Sequence, residues 1–343
     1  MNIIKSYYKQ DVLTLTRKRQ GEEKIGEFVD CVQSDWLKDL KASKAKFVVV
    51  GIPEDIGVRA NYGRAGAATA FKPALESFLS QQHNVYLNAQ CIFVLGEVFV
   101  DDLMASAAVL NVKQKSDLLA MRNLVSLIDA RVTAVVEEIV RLKKIPIVIG
   151  GGHNNAYGLI KGSSAALAQK IAVINCDAHL DFRAEEGRHS GNAFSCAYEQ
   201  KILQKYAVLG MHEQYNNQYA LNLFKQHAQD LYYSSYESVF IREEHTWHAA
   251  LLKAIGFIKK EACGIEIDLD AITNVPSSAK TSSGISPVQA RQFVHQSALH
   301  LNAVYLHIAE GAPILSHLKA DNKTGKLIAY LMSDFIKAVS SHH

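Results

Sequence analysis

Short apolar runs alternate with longer stretches of helical spacing along most of this chain. Several of the short runs are almost continuously apolar, which is typical of strands covered by helices on both faces. They predict eight strands, at residues 47–51, 91–95, 145–149, 171–176, 207–209, 231–233, 264–269 and 303–308. The helical spacing predicts six helices, at residues 72–82, 122–144, 156–169, 248–260, 287–301 and 326–339.

The order of these elements predicts an α/β protein. Strands that alternate with helices form a mostly parallel sheet, because a helical crossover lets the next strand run in the same direction. We therefore expect a three-layer α/β/α fold around a mostly parallel, eight-stranded sheet. Since no low-complexity linker interrupts the pattern, we expect a single domain over residues 1–343, with residues 1–45 packed on it as an N-terminal extension.

Composition and charge narrow the range of partners. The 343 residues are 48% hydrophobic, and 37 basic against 34 acidic side chains leave a net charge of +3. A balance this close to neutral argues against nucleic acid or an anionic membrane surface as a partner. The apolar runs are shorter than the roughly 20 residues of a spanning helix, and the N-terminus lacks a signal-peptide pattern. Five cysteines without CxxC spacing predict reduced thiols in a cytoplasmic protein.

Metal-ligand side chains follow three of the predicted strands. Residues two apart in an extended chain point to one face, and the carboxyl ends of parallel strands meet at one edge of the sheet. We therefore expect these side chains to converge there. They are His153 after the strand at 145–149, Asp177, His179 and Asp181 after the strand at 171–176, and Asp268 and Asp270 at the end of the strand at 264–269.

The charge of this cluster predicts bound cations. Four carboxylates close together cannot readily all ionise, whereas two divalent cations would balance them. A single Asp at a strand end is usually a helix cap or a turn residue, and a single His is usually a core residue, but six such residues in this order favour a metal site. Carboxylates with some imidazole suit Mn²⁺ first, with Fe²⁺, Co²⁺ and Ni²⁺ as alternatives and Zn²⁺ disfavoured.

Several motifs also resemble the ureohydrolases, the family of arginase and agmatinase. They are GIPEDIGVRANYGRAGAATAFKPAL at 51–75, GGGH at 150–153, DAHLD at 177–181, IDLD at 267–270 and HIAEGAP at 307–313. The resemblance implies two Mn²⁺ ions bridged by Asp177 and Asp268, with His153 and Asp181 completing one site and His179 and Asp270 the other. It also implies an arginase-like fold, a homotrimer or homohexamer, proton transfer by Asp181 and contact between Glu310 and a cationic amidine.

Within that family the motifs are most similar to formimidoylglutamases. DFR at 181–183 and the run from Ser190 to Phe194 resemble that branch, and Phe194 stands where arginases carry a proton-transferring His. The implied reaction cleaves the formimidoyl C–N bond of N-formimidoyl-L-glutamate into glutamate and formamide, a step of histidine degradation. Because Arg binds carboxylate bidentately, we expect a carboxylate substrate here. The expected substrate-binding residues are Asn61, Arg64, Arg183, Ser190, Asn192 and Glu310.

The sequence leaves two alternative functions open. The first alternative to a formimidoylglutamase is a hydrolase of another guanidino compound, like arginase or agmatinase. The second is a non-catalytic homologue. Departures from the formimidoylglutamase pattern at Asn154-Asn155, Ser195 and Glu266 put the substrate in doubt. The missing His at Phe194, together with Asn154-Asn155, motivates the non-catalytic alternative. Glu266 points to the same face as Asp268 and is interpreted as an extra ligand, a proton acceptor or a partner of the ligands.

Overall fold

The fold is known from a computed structural model that describes residues 3–316 and 322–341. Within these ranges the chain forms a ten-stranded sheet. Its strands are β1 (Ile4–Ser6), β2 (Asp30–Cys31), β3 (Phe47–Gly51), β4 (Ile92–Val98), β5 (Ile145–Ile149), β6 (Ile171–Cys176), β7 (Leu203–Met211), β8 (Leu231–Ser235), β9 (Ala262–Asp268) and β10 (Asn302–Ala309). Their order is β1-β4-β3-β5-β10-β9-β6-β7-β8, and β2 pairs with β4.

Helices connect these strands and cover the sheet. In the part of the chain that the structure describes, no helix is long and apolar enough to cross a bilayer. The helices are α1 (Lys9–Thr14), α2 (Ile25–Phe28), α3 (Trp36–Ala42), α4 (Ile56–Ala60), α5 (Phe71–Leu79), α6 (Asp101–Ala108), α7 (Lys115–Arg141), α8 (Asn155–Leu167), α9 (Ala193–Glu199), α10 (Gln218–Gln226), α11 (Tyr236–Phe240), α12 (Trp247–Ile258), α13 (Pro287–His300) and α14 (Lys323–Ser340).

The predicted α/β fold is confirmed, with a correction to the number of strands. All eight predicted strands are present, and β3, β5 and β6 have the predicted bounds. The sheet gains β1 and β2 from the N-terminal segment, where β1 pairs antiparallel with β4. These strands have three and two residues, so they are too short to show a period in the sequence. The other strand pairs run parallel.

Two hydrophobic cores lie on opposite faces of the sheet, which makes the three layers. Along β3, Phe47 and Val49 face one core and Val48 and Val50 face the other, as the two-residue period of a strand requires. The first core is closed by α5, α12, α13 and α14, and the second by α7, α8 and α10. Both faces are therefore buried, which explains why these strands lack an alternating polar pattern.

The order of the strands places the ligand-bearing segments side by side. β5, β10, β9 and β6 are consecutive neighbours in the sheet. Each of them ends at the same edge, because all four run parallel. The loops after β5 and β6, the end of β9 and the segment after β10 therefore meet in one place, which is the edge where open α/β sheets bind ligands.

A close contact between β9 and β10 makes the first testable prediction. Gly264 pairs with Tyr305, and a Cβ at Gly264 would lie 2.2 Å from Cζ of the tyrosine ring. Since both residues are in the buried sheet, Gly264→Ala should lower the free energy of unfolding by about 1–3 kcal/mol. Denaturant unfolding of the purified protein measures this change.

The control for that substitution is Gly256→Ala in α12. A Cβ at Gly256 would meet nothing within 4 Å, and the residue is exposed. Alanine should therefore stabilise the protein there by about 0.5–1 kcal/mol, because glycine is a poor helix former. Equal effects of the two substitutions would contradict the proposed packing of Tyr305 on Gly264.

Candidate metal centre and substrate cleft

The structure brings His153 into a ring of carboxylates. Its Nδ1 lies 3.1 Å from Asp177 Oδ2, 3.1 Å from Asp181 Oδ2 and 3.2 Å from Asp268 Oδ2. His153 and Asp177 are fully buried, and Asp268 is nearly so. The four side chains offer one ligand atom each within 4.8 Å of one another, which is a suitable spacing for one cation.

A second group adjoins the first through Asp177. His179 Nδ1 lies 3.4 Å from Asp177 Oδ1 and 3.3 Å from Asp270 Oδ2. The two carboxylate oxygens of Asp177 thus face different groups, as expected of a bridging ligand. Asp268 is also expected to bridge: its Oδ2 faces His153, its Oδ1 accepts a hydrogen bond of 2.7 Å from the Asp270 N–H, and bridging by it stays a prediction.

The same local turn fixes the ligands after β6 and β9. Asp177 Oδ1 accepts from the His179 N–H at 2.7 Å, just as Asp268 Oδ1 accepts from the Asp270 N–H. The expected extension of the strand through Asp181 is therefore wrong. β6 ends at Cys176, and Asp181 takes a left-handed backbone with φ 47°. The three side chains converge because an aspartate caps a turn, not because a strand period continues.

Electrostatics shows why this cluster suits cations. Burial, together with the charges of Asp270 and Asp177, raises the pKa of Asp268 well above its usual value. Burial opposes charge on the two histidines, but the surrounding carboxylates outweigh it and raise the pKa of His153 and of His179. The carboxylates therefore draw positive charge into a buried site, and divalent cations provide it without protonating the ligands.

Unpartnered polar atoms complete the test of fit. Three buried atoms have no hydrogen-bond partner among the described residues. They are the two ring nitrogens of His153 and Oδ1 of Asp270. Buried polar atoms are nearly always satisfied, so these atoms are available to a ligand. An oxygen-rich set with two imidazoles fits two divalent cations, and it suits Mn²⁺ better than a metal that prefers thiolates.

A buried carboxylate, Glu54, holds the loop that carries His153. Its Oε1 accepts from the Gly152 N–H at 3.0 Å, Asn154 Nδ2 at 3.1 Å and Asn155 Nδ2 at 2.6 Å. Burial raises the pKa of Glu54, and the bonds from the two asparagines oppose that rise. The departure at Asn154-Asn155 thus has a structural role, because an acidic residue there would meet the Glu54 carboxylate with like charge.

A cavity of about 190 Å³ opens over the metal-ligand cluster. Three predicted substrate-binding residues outside the cluster line it, Asn61, Arg183 and Ser190, and so do the two predicted catalytic residues, Asp181 and Glu310. Other residues that line the cleft were not predicted individually as substrate contacts, although the segments 210–217 and 276–284 were expected near this end of the sheet. These residues are Tyr62, Tyr215, Asn216, Asn217, Ser278 and Ala279.

Known proteins resemble this chain in sequence and in fold. The model of the arginase family matches residues 45–337. This chain belongs to the arginase family. A formimidoylglutamase of Streptococcus pyogenes serotype M3 is 27% identical over 310 residues, which are 87% of this chain and 86% of that relative. Three further formimidoylglutamases are 29% to 31% identical over 176 to 196 residues, and the chain spans only 48% to 59% of their length.

Solved structures agree on the arginase-family fold. The formimidoylglutamase of Bacillus subtilis superposes with a TM-score of 0.74 at 16% identity, over 95% of each chain. A formiminoglutamase of Trypanosoma cruzi solved with Mn²⁺ superposes with a TM-score of 0.68 at 18% identity, over 90% of this chain and 99% of that one. At these identities the likeness shows the shared fold.

Two residues expected to bind substrate lie elsewhere. Arg64 does not line the cleft: its guanidinium donates to the carbonyls of Ser277 and Ser278, at distances of 2.7 to 3.2 Å. Asn192 is fully buried, and its amide bonds to Arg188 and to the backbone of Gly187 and His189. Arg64 therefore holds a loop of the cleft wall, and Asn192 holds the segment before it.

Phe194, where arginases carry a histidine, packs beneath the ligands. Its ring meets the His153 ring edge-on, with centroids 5.2 Å apart, and stacks on Tyr206 at 4.3 Å. Phe194 is fully buried and supports the position of His153. Its side chain has no group that can carry a proton.

The charge of the cluster predicts that metal binding stabilises the fold. Mn²⁺ at about 100 times its Kd should raise the free energy of unfolding by about 2.7 kcal/mol, and a chelator should remove that gain. Thermal denaturation with Mn²⁺ and with EDTA measures the difference. Asp177→Asn is the matched control, because Asp177 faces both groups, and Mn²⁺ should not stabilise it. Equal stabilisation of both proteins would argue against this site.

Proposed function

We propose that this arginase-family chain hydrolyses N-formimidoyl-L-glutamate with two bound Mn²⁺ ions, giving glutamate and formamide. The observation that carries the proposal is a carboxylate-imidazole cluster that faces a cleft with the guanidinium of Arg183, which has no ion-pair partner among the described residues. The names of the related proteins support the choice of substrate. The reaction belongs to the degradation of histidine. Assembly into a homotrimer or homohexamer and a cytoplasmic location remain predictions.

The cluster would divide between the two ions as its geometry divides. His153, Asp177, Asp181 and Asp268 would hold one ion, and His179, Asp177 and Asp270 the other. Bound there, the ions would lower the pKa of a water molecule and polarise the amidine. Asp177 would belong to both ion sites, and Asp268 is the second expected bridging ligand.

Asp181 is the proposed proton carrier. It belongs to the first group, it lines the cleft two residues before Arg183, and it is only partly buried. Its left-handed backbone turns the carboxylate back toward His153, at a cost of about 1–3 kcal/mol. From that position the side chain can take a proton from the attacking water and pass it to the leaving amine.

Glu310 is the proposed contact for the cationic amidine. Its backbone is also left-handed, with φ 62°, and its Oε1 accepts from the His153 N–H at 2.9 Å. Burial and the charges of Asp270 and Asp181 raise the pKa of Glu310 to about 8. A cationic substrate group beside it favours the charged carboxylate, so binding of the amidine and ionisation of Glu310 support each other.

Arg183 is the proposed carboxylate-binding residue. Its main chain is fixed, because its N–H donates to the Gly191 carbonyl at 3.0 Å and its own carbonyl accepts from Ser195 Oγ at 2.6 Å. Its side chain is exposed and forms no hydrogen bond or ion pair within residues 3–316 and 322–341. A fixed backbone with a free guanidinium suits bidentate binding of a substrate carboxylate.

Gly191 lets Asn61 and Arg183 approach each other in the cleft. A Cβ at this position would lie 2.9 Å from Asn61 Nδ2 and 3.2 Å from Arg183 Cδ. Asn61 Nδ2 also donates to Ser190 Oγ at 3.3 Å. These neighbours place an amide and a hydroxyl beside the guanidinium, where they are available to the tail of the substrate.

One observation favours a second candidate substrate. Among the described residues that line the cleft, Arg183 is the single arginine or lysine. N-formimidoyl-glutamate has two carboxylates, whereas a guanidino acid with one carboxylate would match one cation. The second candidate is therefore hydrolysis of such a guanidino acid, with urea as a product.

The substrate is tested by assaying the Mn²⁺-loaded protein. We expect release of glutamate and formamide from N-formimidoyl-L-glutamate, and no urea from arginine or agmatine. The metal-stripped protein serves as the control. Absence of glutamate release sinks the first proposal. Urea from a guanidino acid would then support the second, and a full Mn²⁺ complement without turnover on any amidine would indicate a non-catalytic homologue.

The role of Arg183 is tested by Arg183→Met. Loss of a charged hydrogen-bonding pair of about 1.5–3 kcal/mol should lower kcat/KM about ten- to a hundredfold, mainly through KM. The control is Arg291→Met, which removes a surface ion pair between Arg291 on α13 and Asp334 on α14 and should leave the kinetics unchanged. If Arg183→Met leaves KM unchanged, the carboxylate is bound by other residues.

A further inference from the structure

Three fully buried side chains form a hydrogen-bonded group behind His153. Glu266 on β9 accepts from Tyr305 Oη at 2.8 Å through its Oε1 and from His307 Nδ1 at 2.6 Å through its Oε2. Tyr305 and His307 are on the neighbouring strand β10, where His307 pairs in register with Glu266. None of the three has any solvent exposure. Both oxygens of the Glu266 carboxylate are therefore fixed by donors from one strand.

The two ring nitrogens of His153 face different surroundings. Nδ1 points at the carboxylates of the candidate metal site, at 3.1 to 3.2 Å. Nε2 lies 3.3 Å from Glu266 Oε2, and this contact falls short of hydrogen-bond geometry. A metal-ligating histidine generally donates its other N–H to a carboxylate, which fixes the ring and its tautomer. Glu266 is placed to be that carboxylate with a slight turn of the imidazole.

The packing around Glu266 is specific to this role. The Tyr305 ring lies over Gly264, where a Cβ would come within 2.3 Å of its hydroxyl oxygen. Gly264 is two residues before Glu266 on the same face of β9, so the glycine makes room for the donor that holds the carboxylate. Glycine, glutamate, tyrosine and histidine thus form one unit across two strands.

The arrangement also argues against Glu266 as a metal ligand. The ligand atoms of Glu266 are close enough together to share a cation with His153 and His307, but not with Asp177, Asp181 or Asp268. Its oxygens already accept hydrogen bonds of 2.6 and 2.8 Å, which a third cation would have to displace. Positioning of His153 uses these bonds as they stand.

The other metal-ligating histidine lacks such support. His179 presents Nδ1 to Asp177 and Asp270, and its ring stacks on Tyr215 with centroids 5.7 Å apart. Its side chain is 29% exposed, whereas that of His153 is fully buried. No carboxylate among the described residues lies behind it in the way that Glu266 lies behind His153.

We infer that Glu266 is a positioning residue for His153, and that it strengthens binding of the ion that His153 would hold while leaving the ion of His179 unaffected. The inference rests on the proposed metal pair but not on the substrate. It is therefore tested by metal binding, which is measured without turnover.

The experiment compares Mn²⁺ binding by the wild-type chain and by Glu266→Gln, using equilibrium dialysis over a range of free Mn²⁺. The wild type should bind two ions per chain. In the variant, the affinity for one ion should fall about ten- to a hundredfold, the usual effect of losing a partner of a ligand, and that for the other should stay unchanged. At an intermediate concentration of Mn²⁺, the electron paramagnetic resonance spectrum should be that of a coupled pair of ions in the wild type and that of an isolated Mn²⁺ in the variant.

Further variants identify which ion is lost. His179→Asn should weaken the other ion, so the double variant with Glu266→Gln should lose tight binding of both. Tyr305→Phe keeps the ring over Gly264 and removes one donor, so it should shift affinity in the same direction by less. Tyr7→Phe is the matched control, because it removes a Tyr–Glu bond of 2.6 Å to Glu97 elsewhere in the sheet, and it should change nothing.

Each other outcome overturns the inference. Unchanged binding in Glu266→Gln, or equal weakening of both ions, would mean that Glu266 does not act through His153. Three ions in the wild type and two in the variant would instead indicate a metal site at His153, Glu266 and His307. A wild-type chain that binds no ion overturns the proposed function and this inference together. Two bound ions without turnover overturn the proposed reaction alone. Unfolding of each metal-free variant checks that it is folded.

Discussion

Mutual repulsion among four carboxylates at one edge of the sheet is the constraint on which the rest of the structure depends. Asp177, Asp181, Asp268 and Asp270 lie close together with little access to water, so their negative charges have to be balanced by the neighbouring histidines or by cations. The parallel strands impose this, because they end side by side. A fold that concentrates charge in this way gains stability from an agent that balances it, so metal binding and folding are coupled.

The surrounding residues hold the ligands so that the cations do not have to. Asp177 and Asp268 each accept a backbone N–H two residues on, and Glu54 collects three donors from the loop of His153. Asp181 and Glu310 share a left-handed backbone, which is uncommon for residues other than glycine. Strain at the two residues with proposed roles in the reaction is consistent with positions that are selected for chemistry and not for stability.

The sequence predicted what depends on period and spacing, and it failed where distant residues meet. Buried strands such as β5 and β6 show a continuous apolar run, and the ligands follow them directly, so both were found. The partners of Arg64 could not be found, because a guanidinium that meets the Ser277 carbonyl 213 residues away leaves no local pattern. Glu54 was missed for the same reason, although its place in the first motif was visible.

The departures from the family pattern gather around a single ligand. Phe194 packs on the ring of His153, Asn154 and Asn155 hold the loop that carries it, and Glu266 faces its second nitrogen. All six predicted ligands are nevertheless present. Changes in the surroundings of a ligand alter how firmly and in which orientation it binds, whereas changes in the ligands alter which chemistry is available. The ligand set of the proposed metal pair is therefore intact, and the departures affect the way in which one histidine is held.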